Sequence, residues 1–371
     1  MKIAFLLDTF PSPTETFIAR DIQALRRHGL EIEVFALKNG AGARPLMPPA
    51  SVPLALRGAW EKLISPGLRA DYFKQVGAMW WQELNRSGAA QEIQHVHAGW
   101  ASHPAYIAWG AAQKSGLTWS FSGHAHDVFV SGGDLRGKLA SARFASVCTG
   151  AAKRHLQSLA PEQSEKIIYA PHGIESQNIE FSDWNFPPIP QLLAVGRLVE
   201  KKGFGVLLDA CAVLRSRGFA FTCRIIGEGP LREQLKQRTQ RLHLGDCVQF
   251  SGALTSDEVL AAMRESSCLV VPAITASDGD RDGLPNVILE AAACGLPIVA
   301  SRAGAIEEFI DESTGLLCAP HRAEALAEAI QAVFSQRDET QQRRLTARVR
   351  VEKNFDLMTN AGVLARQLRT V

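Results

Sequence analysis

The chain has no long apolar run. Its opening residues, MKIAFLLDTF, reach Asp8 after five apolar positions, too few for a signal peptide or a membrane span. A cytoplasmic location is therefore expected, with surface attachment to a membrane left open. Net charge is nearly absent, at 40 basic against 38 acidic side chains. With no basic stripe interleaved with aromatics either, nucleic acid is not an expected partner. The seven cysteines (Cys148, Cys211, Cys223, Cys247, Cys268, Cys294 and Cys318) show no zinc spacing. Odd in number and mostly inside apolar runs, they read as reduced, buried thiols. Glycine is missing where a nicotinamide or flavin site needs it. The first strand runs directly into Asp8-Thr9-Phe10, and RIIGEGPLREQL offers Gly227 and Gly229 without the third glycine of a dinucleotide fingerprint. No internal repeat, low-complexity tract or evident covalent nucleophile is present.

What the chain does have is length and alternation. With 371 residues, 46% of them hydrophobic, it can bury two ordinary cores. Short apolar runs alternate with helix-period segments, the pattern of βα units and parallel sheets. Expected strands are 2–7, 31–37, 93–97, 118–122, 145–149 and 167–170, then 192–195, 222–226, 247–250, 268–271 and 298–300. Expected helices include 16–28, 101–115, 151–159, 203–216, 231–242, 257–264 and 286–294. A polar, proline-rich stretch, FSDWNFPPIP, separates the two series. The expected division is a first domain at 1–175, a linker at 176–190, a second domain at 191–353, and a C-terminal helix at 354–371 packing back toward the first domain. The Gly/Pro-rich stretch 40–53 reads as a mobile loop.

The most informative segment is SDGDRDGLPNVILEAAACG, residues 277–295, which sets Asp282 and Glu290 eight positions apart. Pro285 suits the first turn of a helix, and Gly295 with Pro297 ends it. Asp282 then sits in the loop before the helix and Glu290 on its second turn. Between them lie the N–H groups of Gly283, Leu284 and the first helical residues, a favourable place for phosphate. A carboxylate on each side of an anion site suits a ligand with hydroxyls at both ends and phosphate in the middle, the layout of a nucleotide-sugar. Asp278 and Asp280 are rivals of Asp282, and an acidic surface turn is the plain alternative. Upstream, LLAVGRLVEKKGF sets Arg197 and Lys202 at a strand end beside a helix start. Two cations there suit a diphosphate leaving group, and they would offset the charge that grows on it.

These strings resemble glycosyltransferase family 4, retaining enzymes with the glycosyltransferase-B (GT-B) fold, and in particular its bacterial exopolysaccharide and colanic-acid type. Arg197, Lys202 and Gly203 fill the family's GR-x-x-x-x-KG element, and Asp282 stands where the family usually has Glu. The resemblance implies an α/β fold of two facing Rossmann-like, doubly wound domains with a cleft between them. It implies transfer of a sugar from a nucleoside diphosphate to a hydroxyl, the acceptor being a lipid-linked glycan in bacterial polysaccharide assembly. It also assigns roles. Gly196, Arg197 and Lys202 hold the donor diphosphate with Gly283, Leu284 and Pro285; Asp282 binds sugar hydroxyls; Glu290 binds the ribose diol; Glu228 and Leu254 border the nucleotide. In SFSGHAHDVF, His124 and Asp127 match the family's His-x-x-Asp at the reacting end, with Asp127 fixing the imidazole tautomer and His126 as a rival. FPSPTETFI resembles a variant first loop in which Glu15 and Thr16 line the acceptor side; simple capping by Thr14 or Thr16 explains it equally. His172, in APHGIE, is expected to be structural. Displacement on one face within an ion pair is the implied route.

Neither a cofactor nor a metal is expected, the nucleotide-sugar being a co-substrate. Asp278-Gly-Asp280 could be a metal-binding D-x-D, but Arg197 and Lys202 already supply the cationic charge. His124, His126 and Asp127 would need a fourth metal ligand, and the chain alone does not locate His95, His97 or His103 near them. Trp60, Trp80 and Trp81, with Lys62, Arg69 and Lys74 in the region 56–84, could rest on a membrane surface; core packing is the alternative. Two other functions stay open: a nucleotide-sugar epimerase or hydrolase, and a non-catalytic nucleotide-sugar-binding protein.

Overall fold

The computed structural model describes residues 1–12, 15–39, 42–46, 66–184 and 187–371. They divide into two units, 1–173 with 357–371, and 174–356. Each is a parallel sheet with helical crossovers.

In the first unit the strands are β1 (Lys2–Phe10), β2 (Glu31–Asn39), β3 (Arg44–Pro45), β4 (Ile93–Ala98), β5 (Thr118–Gly123), β6 (Ala145–Val147) and β7 (Ile167–Tyr169). Their order across the sheet is β3-β2-β1-β4-β5-β6-β7. All pairs are parallel. The helices are α1 (Thr16–Arg27), α2 (Pro66–Arg86), α3 (His103–Ser115), α4 (Ala125–Phe129), α5 (Leu135–Ser141) and α6 (Gly150–Leu159). A sheet covered on both faces needs strands that are apolar throughout, which is why residues 3–7 are consecutive hydrophobics and all buried. Helix α1 instead shows helical spacing: Ile18, Ile22 and Leu25 are buried, and Arg26 and Arg27 sit in the last turn, where cations suit the helix dipole.

The second unit carries β8 (Gln191–Val195), β9 (Thr222–Ile226), β10 (Val248–Phe250), β11 (Cys268–Val271), β12 (Ile298–Ser301) and β13 (Leu316–Cys318). Their order is β10-β9-β8-β11-β12-β13, again all parallel. Its helices are α7 (Phe204–Ser216), α8 (Arg232–Arg241), α9 (Ser256–Glu265), α10 (Asn286–Cys294), α11 (Ala323–Ser335) and α12 (Arg337–Asn354). The last helix, α13 (Leu357–Leu368), belongs to the first unit, where Ala365 and Leu368 are fully buried in a cluster with Ile18 and Ile22 of α1. Burial of Leu368 alone contributes about 2 kcal/mol. Both sheets have the doubly wound order, whose switch points lie between β1 and β4 and between β8 and β11.

Several particulars depart from the sequence reading. Residues 176–184, expected as linker, are part of the second unit: Ile179 is buried and the Trp184 indole donates to Ser267 O at 2.8 Å. The apolar side chains scattered among the polar ones provide that anchorage. In the stretch 40–53, residues 44–45 form strand β3 and Leu46 is buried; 40, 41 and 47–53 lie outside the described residues. Trp80 and Trp81 are buried in the first core, with Trp80 edge-on to Phe35 at 5.0 Å, so neither is offered to a bilayer. Lys74 lies over the Trp109 ring. Trp60 and Lys62 lie outside the described residues, as does the Arg69 side chain. Among the described residues no helix is long and apolar enough to cross a membrane.

Candidate active site

In the second unit the turn after β8 meets the loop before α10 at the carboxyl ends of β8 and β11, where a doubly wound sheet binds its ligand. After β8 the chain turns at Gly196, whose N–H bonds Ile226 O at 2.9 Å. It then passes Arg197, which is exposed, and reaches Lys201 and Lys202. Gly203 follows at φ 66°, and a Cβ there would lie 1.8 Å from Pro272 O. Only glycine allows this turn to touch the segment after β11. The loop leading to α10 is tied to the same turn, with Ile274 N bonding Lys201 O at 2.9 Å and Ser277 N bonding Glu200 at 3.0 Å.

The three candidate aspartates differ in their partners. Asp278 accepts from Asp280 N inside its own loop. Asp280 pairs with Lys201 at 3.1 Å. Asp282 sits between the lysines, 2.7 Å from Lys202 Nζ and 3.7 Å from Lys201 Nζ. The Lys201 and Asp282 side chains are each only 9% exposed, so solvent screens this cluster weakly. Lys201 was not anticipated, although its place beside Lys202 was the available signal. Gly304 pins the loop from below: at φ 62°, its Cβ would meet Asp282 O at 2.0 Å.

Pro285 is the N-cap residue of α10, one position ahead of the expected first turn, because its ψ of 127° is still extended. The N–H groups of Gly283, Leu284, Asn286 and Val287 donate to no backbone carbonyl among the described residues. Glu290 is half-buried on the second turn. Helix α10 ends at Gly295, left-handed at φ 75°. Neighbouring turns complete the rim. Gly227 N bonds Gly252 O at 2.7 Å, and Leu198 N bonds Glu228 O at 2.8 Å. Glu228 pairs with Arg232, and Leu254 packs on the core.

In the first unit His124 follows β5 directly and is buried. Rings of Trp100, Phe17 and His172 surround it at centroid distances of 4.3, 5.4 and 5.2 Å. Burial, reinforced by His172 and His97, holds its pKa well below the usual histidine range, so the ring is neutral. The expected tautomer contact is corrected here. Asp127 accepts from the backbone N–H groups of His124 and Ala101, not from the imidazole. The reason is local: Asp127 sits in the first turn of α4, where a carboxylate meets main-chain donors. Burial raises the Asp127 pKa to about 7 against those donors. His126 is exposed, so His124, His126 and Asp127 do not converge as a ligand set. Glu15 is the N-cap residue of α1 without a side-chain cap bond, and Thr16 is the first helical residue. Thr14 lies outside the described residues.

His95 and His97 are fully buried on β4, bridged through Ser120 at 2.7 Å each. His97 continues through Ser122 to Ser146. His103 is near Asp8 at 3.7 Å. Sequence reasoning missed a different grouping. Gly123 of β5, Val147 of β6 and Tyr169 of β7 are in register, so His124 and Cys148 emerge side by side, and the chain three residues past Tyr169 brings His172 to them. They line a cavity of about 40 Å³ together with Asp21, Ser122 and Ser146.

Two Rossmann-like units, each a doubly wound parallel sheet, are the parts of the GT-B fold. Residues 189–336 match the family model described as Glycosyl transferases group 1. Over its whole length the chain is 28% identical to WcaL of Escherichia coli, assigned as a colanic acid biosynthesis glycosyltransferase, covering 99% of that protein. It is 35% identical to the amylovoran biosynthesis glycosyltransferase AmsK of Erwinia amylovora, over 56% of this chain and 51% of AmsK. The structure of Anabaena HepE in complex with UDP-glucose superposes over the full length of both chains, with TM-score 0.77 at 19% identity, a likeness of fold. The chain is a glycosyltransferase, and its similarity to the group 1 glycosyl transferase family lies in residues 189–336.

Proposed function

We propose that the chain moves a sugar, with retention of configuration, from a nucleoside diphosphate to a hydroxyl of a lipid-linked glycan in bacterial surface-polysaccharide assembly. The observation that carries this reading is the Lys202–Asp282 ion pair beside the unpaired N–H groups that open α10. A resident carboxylate pairs with the cation that a diphosphate would take. On donor binding, phosphate oxygens replace Asp282 on Lys202 and engage Arg197 and the N–H groups of Gly283 and Leu284. Asp282 is then free to accept from sugar hydroxyls, while Glu290 accepts from the ribose diol. As the glycosidic bond breaks, the cations stabilise the charge gathering on the leaving diphosphate. His124 contributes a neutral imidazole to the reacting end, and Glu15, Thr16 and His126 belong to the acceptor side. The names of WcaL and AmsK support an exopolysaccharide acceptor, and the UDP-glucose complex of HepE supports a nucleotide-sugar donor. Such an acceptor would bring the protein to the inner face of the cytoplasmic membrane as a peripheral protein.

The test is a panel of uridine, guanosine and adenosine diphosphate sugars, read by thermal shift and nucleotide release, beside an Arg197→Ala/Lys202→Ala variant. One donor should raise Tm in the native chain and not in the variant. A panel without any response removes the donor assignment. Nucleotide release that is complete without acceptor would make the chain a hydrolase.

A further inference from the structure

We propose that His124, Cys148 and His172 form a binding site for one zinc ion in the first unit, with Asp21 as the residue that orients His172. The ligand atoms of the three side chains all lie within 4.8 Å of one another. Tetrahedral zinc, with N at about 2.0–2.1 Å and S at about 2.3 Å, needs them roughly 3.3–3.6 Å apart, so modest side-chain rotation closes the site. The imidazoles also lie at a suitable spacing. Their centroids are 5.2 Å apart, and because the rings are stacked within 4° of parallel, one of them turns about χ2 to aim its nitrogen at the same point. Two rings bound to one tetrahedral ion at the usual distances have centroids about 5 Å apart.

Each ring also carries a buried nitrogen without a hydrogen-bond partner, Nδ1 of His124 and Nε2 of His172. Buried polar atoms left in this state are uncommon, and a ligand satisfies them. On the far side of His172, Nδ1 lies 2.6 Å from Asp21 Oδ2. That is the carboxylate–histidine pairing which fixes a ring so that its other nitrogen faces a metal. Two imidazoles and a thiolate form a borderline-soft donor set that suits zinc. Among the described residues no methionine lines the cavity to serve as the long axial ligand of a copper site. The cavity leaves the fourth position for water. Binding releases the Cys148 thiol proton and any proton on His172 Nε2, so the ion gains a thiolate and two neutral imidazoles.

The site does not depend on the donor reading, since all four residues belong to the first unit. It does bear on it, because an ion here occupies the His124 ring that the proposed transfer uses. Zinc loading should therefore slow transfer, and a chelator should restore it.

Cobalt(II) reports the geometry directly. Anaerobic titration of the full chain should give one equivalent with a near-ultraviolet thiolate-to-cobalt charge-transfer band and intense tetrahedral visible bands, displaced by zinc. Cys148→Ser should abolish the charge-transfer band. Asp21→Asn should weaken affinity about 10–100-fold, as expected for loss of a ligand-orienting partner. Should the Cys148 variant fold poorly, alkylation of the native chain gives an independent readout: zinc should protect Cys148 from iodoacetamide, as read by peptide mass. Binding without the charge-transfer band, a band that persists in Cys148→Ser, or unprotected Cys148 at saturating zinc would each overturn the site.

Discussion

Lys202 Nζ and Asp282 Oδ2 lie 2.7 Å apart, joining the turn after β8 to the loop before α10. The pair spans eighty positions of chain and neutralises the cation to which the proposed function assigns phosphate. A charge-assisted hydrogen bond to phosphate is worth about 1.5–3 kcal/mol, or roughly 10–150-fold in affinity. Lys202→Met should weaken binding of the cognate nucleoside diphosphate by about that factor. Asp282→Asn should do the opposite to the diphosphate, leaving its affinity unchanged or up to about tenfold tighter, because it removes the internal competitor for Lys202. Transfer by that variant should still fall by about 100-fold, as the sugar loses its carboxylate. Calorimetry with the diphosphate, beside initial rates, separates the two effects. Equal loss of diphosphate affinity in both variants would mean the pair only holds the loop.

Asp127 supplies a second test. Its carboxylate accepts from the N–H groups of His124 and Ala101, and it does not touch the imidazole. Asp127→Asn keeps one acceptor oxygen and turns an amide N–H₂ toward the other main-chain donor. That mismatch should cost about 1–3 kcal/mol, measured by urea unfolding. The His124 ring tautomer, read from its nitrogen chemical shifts, should be the same as in the native chain. A tautomer switch without loss of stability would restore Asp127 to the role expected from sequence.

The pH dependence of stability should carry a contribution from Asp311. Burial alone would raise this carboxyl, but the Ser313 hydroxyl and the Arg350 guanidinium outweigh it and hold the pKa at about 2. An unfolded aspartate titrates near about 3.9. The native state thus favours the ionised form, and the stabilisation is fully present above about pH 4 and lost as pH falls through about 2. The side chain is 53% exposed, so solvent screening limits the contribution to about 1 kcal/mol. Asp311→Asn should be destabilised by that amount at pH 6, and the gap from the native chain should narrow on acidification toward pH 2. A gap that stays constant over this range would assign the effect to lost hydrogen bonding alone.

Much of the architecture was legible in the chain because the signals are local. Residues 192–195 and 268–271 are short apolar runs suited to a sheet covered on both faces, and they lie in strands β8 and β11 as expected. Helix α10 was bracketed by Pro285 and Gly295, which act through their own backbone angles. Strand β13, Leu316–Cys318, is three residues long and too short to show a period. Strand β3 has two residues, one of them a proline.

By itself the sequence determined the alternation of strands and helices, the cationic turn at Arg197 to Lys202, and the placing of Asp282 and Glu290 around a helix start. Each of these depends on neighbours within a few positions. Only the tertiary structure decided that Lys201 joins Lys202 on Asp282, that Asp127 serves main-chain donors, and that His124 meets Cys148 and His172. Those three residues are 24 positions apart in each step along the chain. They come together because β5, β6 and β7 are adjacent and in register, and the chain past Tyr169 brings His172 to the other two. Strand order and register arise from how the whole sheet buries its two faces, which no single segment encodes.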